Sequence, residues 1–96
     1  MALNRPKATA TLQIDNERVI ITEWKFSPGA ETGWHKHNYD YIVVPGMQGQ
    51  LLLETTEGES LSDLQTGKSY YKSGGIEHNV VNVNDYEFSF VEIELK

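Results

Sequence analysis

Ninety-six residues are enough for one globular domain and too few for two, so a functional site has to be built on the same elements that make the core. Fourteen Asp and Glu against eight Lys and Arg leave a net charge of −6, which favours solubility and repels nucleic acid and anionic membranes, both of which require a basic surface. The chain has no cysteine, so disulfides and thiolate-bound metals are excluded and a metal must take nitrogen or oxygen ligands. Residues 1–8 lack the apolar run of a signal peptide and read as a loose N-terminal arm, and no segment approaches membrane-spanning length. A cytoplasmic protein with neither a nucleic-acid nor a membrane partner is expected, with residues 1–96 as a single domain.

Glycine and proline divide the chain into short pieces, and the pieces read as strands. Thr9 to Asp15 and Arg18 to Ser27 are rich in Thr, Val, Ile and aromatics, with Asp15-Asn16 as a tight turn between them. After Pro28-Gly29 and Gly33, the run Tyr41-Ile42-Val43-Val44 is β-prone, as is Gln50 to Thr55 beyond Pro45-Gly46 and Gly49. The acidic segment Glu54 to Glu59 suits a solvated hairpin end. Ser60 to Gln65 is the best helical candidate, yet it is short and flanked by glycines. Val80, Val81 and Val83 suit a strand after Gly74-Gly75. The last piece, Phe88 to Leu95, is apolar at 88 and 90 and then at 91, 93 and 95, a shift of phase that predicts a bulge or burial on both faces. No stretch keeps helical periodicity over three turns. Short strands at roughly ten-residue spacing predict an all-β barrel or sandwich of six to eight strands.

The chain has three histidines, His35, His37 and His78. On a strand, side chains at i and i+2 share a face with their Cα atoms about 6–7 Å apart, so two imidazoles can converge on one ion at about 2.0–2.2 Å. His78 follows the Gly74-Gly75 turn, where a neighbouring strand could bring in a third nitrogen. Spacing alone is equally compatible with three unrelated histidines, one on an edge and two in turns.

The surroundings of the histidines decide between these readings. Gly29 to His37 is a glycine, five residues and His-x-His, and Gly67, Gly75, His78 and Asn82 stand in the register Gly-x7-Gly-x2-His-x3-Asn. Together these stretches resemble the two motifs of the cupin family, with Ser73 where that family usually has proline. The wording around His35 to Pro45 and from Glu77 to the end is similar to the small single-domain cupins described as β-alanine-degradation proteins. The resemblance implies a single jelly-roll β-barrel and a divalent metal (iron, nickel, zinc or manganese) on His35, His37 and His78. It also implies a homodimer, which would protect the short edge strands of so small a barrel.

The chain departs from the family pattern where the first motif usually supplies a glutamate as fourth ligand. Tyr41 and Ile42 occupy those places, and Asp40 comes one residue early, on the opposite face unless a bulge follows His37. Tyr41 shares the parity of the histidines and is the candidate catalytic side chain, a phenol placed to meet a bound water or substrate. Barrel lining by Tyr39 and Tyr41 is the alternative, and the fourth ligand stays open among Tyr41, Asp40 and water. Trp34 and Glu77 face away from their histidine neighbours, and Asn82 suits a hydrogen-bonding role rather than a ligand's. Three neutral imidazoles leave an ion its full charge and open positions. The expected function is therefore a metal-dependent, dioxygenase-like enzyme acting on a small polar or carboxylic molecule, the resemblance extending to the three-histidine thiol dioxygenases of the superfamily. The competing reading is a non-catalytic module that binds or senses a small ligand.

Overall fold

The computed structural model describes residues 4–96. Nine strands and no helix occur among them: β1 Thr9–Asp15, β2 Val19–Phe26, β3 His35–Lys36, β4 Asp40–Pro45, β5 Gly49–Thr55, β6 Gly58–Leu64, β7 Tyr70–Lys72, β8 Glu77–Asn82 and β9 Phe88–Leu95. They form a five-stranded sheet in the order β1-β2-β9-β4-β7 and a four-stranded sheet in the order β3-β8-β5-β6. Every named pairing is antiparallel. This is a jelly roll. The strand count exceeds the expected six to eight because the two-residue β3 around His35 is itself a paired strand.

The strand boundaries follow the turn chemistry. The β1–β2 connection is closed by the Asn16 side chain, whose Oδ1 accepts from the backbone N–H groups of Arg18 and Val19 at 2.8 and 2.9 Å, a side-chain turn typical of Asn. The expected helical stretch 60–65 lies mostly within β6. Six residues cannot nucleate a helix without support, whereas β5 offers a complete ladder from Gly49↔Leu64 to Thr55↔Gly58. The hairpin end is less solvated than expected at one position. Glu54 is held by Arg5, at 2.9 Å, and by the Asn79 amide, at 2.8 Å.

The core lies between the two sheets. Phe26, Tyr41, Val43, Phe88 and Phe90 from the larger sheet meet Leu51, Leu64 and Val80 from the smaller one. Phe26 and Phe88 have no exposed surface, and each buried aromatic contributes about 1.5–3 kcal/mol of transfer free energy. β9 runs without a bulge: Trp24↔Phe90, Thr22↔Glu92, Val43↔Glu92 and Tyr41↔Glu94 are regular partners. Its even positions all face inward, so the apparent phase shift marks Glu92 and Glu94 taking interior places among apolar neighbours. Val91 and Ile93 line the outer face, half-buried.

Of the stretch expected as a loose arm, residues 5–8 are tied down. The Ala8 N–H donates to the Glu31 carbonyl at 2.8 Å, the Glu31 N–H donates to that of Pro6 at 2.9 Å, and Arg5 bridges Glu31 and Glu54. Residues 1–3 lie outside the described residues. Among the described residues no helix is long and apolar enough to cross a membrane.

Candidate metal centre

His35 on β3 stands directly opposite His78 on β8. His37 lies one residue past β3, and its backbone is fixed from both sides. Its N–H donates to the Ile76 carbonyl at 2.9 Å, and its carbonyl accepts from the Gly75 N–H at 2.6 Å. Gly75 has φ +95° and its neighbour Gly74 sits so close to the Tyr39 backbone that a Cβ would lie 2.8 Å from the Tyr39 carbonyl carbon. The left-handed bend suits glycine at 75, and the close approach excludes any side chain at 74. The second sequence motif therefore positions a histidine of the first.

The three rings meet edge to face. Their centroids are 4.7, 4.7 and 4.9 Å apart and their planes cross at 80°, 73° and 87°. The Nε2 atoms of His35 and His37 are 3.1 Å apart, and those of His37 and His78 3.0 Å. Nitrogen donors about 2.1 Å from one ion, at right angles, would be about 3.0 Å apart. The Nδ1 of His35 lies 2.8 Å from the Gly33 carbonyl, a contact that requires the proton on Nδ1 and leaves Nε2 as a lone-pair donor. One shared proton could join two such nitrogens but not three, whereas a divalent cation accepts all of them. The residues fit a metal.

Electrostatics agree. His37 is pushed down to about 4 by burial first, then by the neighbouring His35 and His78, and His78 to about 4 by burial, His35 and Lys72. Both are neutral near pH 7, the form a ligand needs. Glu92, buried on β9, places a carboxylate oxygen 3.8 Å from His37 Nε2. With His37 neutral this is not an ion pair. Burial, reinforced by the Glu94 charge, raises the Glu92 carboxyl to about 7. The Trp24 indole N–H pulls the other way, although that buried donor forms no hydrogen bond of normal length. Glu92 and Glu94 cluster with His37 in a second group of potential ligands that shares only this residue with the three-histidine group.

Residues 22–94 match the cupin domain family. The chain belongs to the cupins. Over 92 residues it is 53% identical to the β-alanine degradation protein BauB of Pseudomonas aeruginosa, covering 96% of this chain and 97% of that one. A crystal structure of a cupin domain from Bordetella pertussis superposes with a TM-score of 0.97, at 59% identity over 99% of both chains. The polyketide cyclase RemF of Streptomyces resistomycificus shares the fold at a TM-score of 0.72 and 19% identity, over 97% of this chain and 70% of that one.

In this cupin, Tyr41 lies on the inner face of β4, buried, with its ring stacked on His37 at 3.9 Å between centroids. Burial, then the Tyr70 and Glu92 charges, raise its phenol well above the ordinary value. Asp40 turns outward, as simple alternation requires: it accepts a hydrogen bond from the Tyr71 hydroxyl and another from the Gly74 N–H at 2.8 Å. Both contacts hold its carboxyl below the usual range. No bulge returns it to the histidines. Glu77 and Trp34 are exposed. Asn82 is wholly buried, its amide donating to the Phe26, Ser27 and Tyr86 carbonyls.

The carboxylates that the first motif lacks come close to His37 from β9 instead. Sequence reasoning passed over Glu92 and Glu94, although the phase shift in Phe88 to Leu95 was their signal. Lys72 was also missed. It shares Tyr41's face of the sheet, is exposed, and lines the rim of a cavity of about 170 Å³ with Tyr41, His78, Phe90 and Glu92.

Proposed function

We propose that this cupin is a metal-dependent enzyme that oxidises a short carboxylic molecule with dioxygen, using one divalent ion on His35, His37 and His78. The observation that carries the reading is the convergence of three imidazole Nε2 atoms, with His37 and His78 held neutral chiefly by burial and His78 lining a largely apolar cavity. The relative named for β-alanine degradation supports a small carboxylic substrate. A bound ion of iron, nickel, zinc or manganese would supply positive charge and open positions for substrate and, in the iron form, for oxygen. The chain's own residues do the rest. Val43, Leu51, Leu53, Ile76 and Val80 exclude water from the cavity. The Tyr41 hydroxyl, its ring fixed against His37, is a hydrogen-bond donor at the cavity wall. Glu92, titrating near 7, exchanges a proton with a bound molecule at neutral pH.

The test is oxygen consumption by iron-loaded protein presented with three-carbon amino, hydroxy and thiol acids. Oxygen uptake that depends on one of these acids is expected. Tyr41→Phe should lower it about 5- to 150-fold, the loss of one buried hydrogen bond worth about 1–3 kcal/mol, while iron content stays unchanged. Acid binding by the iron form with no oxygen uptake would contradict catalysis and leave a binding module.

We further propose that two copies associate through the outer face of the five-stranded sheet. Strand register sets Ile14, Ile21, Ile42, Val44, Val91 and Ile93 together on the side away from the core. Beside them β1 is exposed at every residue, and a second copy would cover both.

A further inference from the structure

The cavity beside the histidines has a basic side chain at one place and an acidic one at another. Lys72 ends β7 on the same face as Tyr41, exposed at the cavity rim, and its Nζ lies 5.9 Å from the Tyr70 ring centre. Its charge reaches His78, whose proton affinity it lowers. Lys72 forms no salt bridge among the described residues, although acidic side chains outnumber basic ones in the chain. Glu92 stands on the other side, nine-tenths buried, with the Trp24 indole N–H acting on its carboxyl and His37 Nε2 3.8 Å away. The two positions are offset by two strands and two residues, since Tyr41 pairs with both Lys72 and Glu94. Sheet spacing puts their Cα atoms about 12 Å apart. Side chains on the inner face of one sheet stand roughly perpendicular to it, so the two ends stay about as far apart as their Cα atoms and leave room for a short molecule between them.

We propose that Lys72 and Glu92 are the two ends of the substrate-binding site, and that its ligand is a short monocarboxylic acid bearing a hydrogen-bond donor at its far end. This rests on the reading of the cavity as the substrate pocket, and it names the substrate class. The carboxylate pairs with the Lys72 ammonium at the open end, and the amine, hydroxyl or thiol donates to Glu92 beside His37. Size sets the length. The cavity of about 170 Å³ holds about six groups of the ~30 Å³ that a water molecule occupies in the liquid, so a three-carbon acid fits and a long chain does not. Charge sets the class. One ammonium balances one carboxylate, whereas a phosphate dianion would meet a single cation in a chain of net charge −6. The walls between the charged ends are apolar, which suits a short methylene bridge.

Binding to metal-free protein isolates these contacts from any ion. We would titrate propionate, 3-hydroxypropionate, β-alanine and propylamine into metal-free wild type, Lys72→Met and Glu92→Leu, reading side-chain and amide shifts by NMR. The two acids with a donor should bind more tightly than propionate, and propylamine should not bind. Lys72→Met should weaken all three acids at least tenfold, and Glu92→Leu should abolish the preference for a donor while leaving propionate unchanged. Acid affinity within twofold of wild type in Lys72→Met, or propylamine binding as well as β-alanine, would overturn the assignment. Zinc uptake by the same proteins is measured separately. A wild type that binds the acids but takes up no zinc would sink the metal-dependent function and leave the acid site standing.

Discussion

Glu92 is the residue at which the site's chemistry and the fold's stability meet. Folded, its carboxyl holds a proton up to about pH 7, whereas the unfolded group releases it near 4.5. Between those values the native state binds the extra proton, so this residue subtracts stability as pH rises. His37 and His78 act oppositely: they titrate near 4 in the fold and 6.5 outside it, and they add stability as pH rises through that range. In metal-free protein, Glu92→Gln should therefore be more favourable at pH 8 than at pH 5, by up to about 3 kcal/mol for a shift of this size. Urea unfolding at the two pH values measures it, and an equal effect at both would show that Glu92 titrates normally. The histidines were legible because their spacing to distant glycines is a motif. Glu92 was not, because parity along β9 becomes evidence only once that strand is known to run straight. Asp40 was the carboxylate nearest the motif position, and local alternation alone turns it outward.

At the scale of elements, the Gly74-Gly75 turn couples the two halves of the site. A methyl at Gly74 would press on the Tyr39 backbone, which connects His37 to Tyr41, and the backbone cannot yield as a side-chain end would. Gly74→Ala should cost about 1–3 kcal/mol of stability, the usual range for overpacking, and should also lower metal affinity by displacing His37. Thermal unfolding and metal titration of the variant check both; normal metal binding with lost stability would mean that the turn does not position His37. Strand rhythm and turn residues were enough to outline β1, β2, β4, β5, β8 and β9. They failed at β6, where pairing with β5 overrides weak local preference. They also failed at β3 and β7, short pieces that are strands only through their partners on β8 and β4. Long-range pairing of that kind leaves no local trace.

For the whole molecule, the apolar outer face of the larger sheet and the open edge of β1 predict self-association. Light scattering at micromolar concentration should give twice the chain mass, and Ile93→Lys, a charge at the centre of that face, should return the monomer. A monomer in the wild type would contradict the proposed pairing. Neither the apolar face nor the pinning of Arg5 to Glu31 and Glu54 could be read beforehand, since each depends on which strands become neighbours. The central claim is that His35, His37 and His78 form one metal site. Metal analysis of protein purified without an affinity tag, on wild type and His78→Ala side by side, tests it most directly. The wild type should carry close to one divalent ion per chain, and His78→Ala should bind at least tenfold more weakly, a loss of more than about 1.4 kcal/mol. Equal metal content in the two proteins would contradict the assignment.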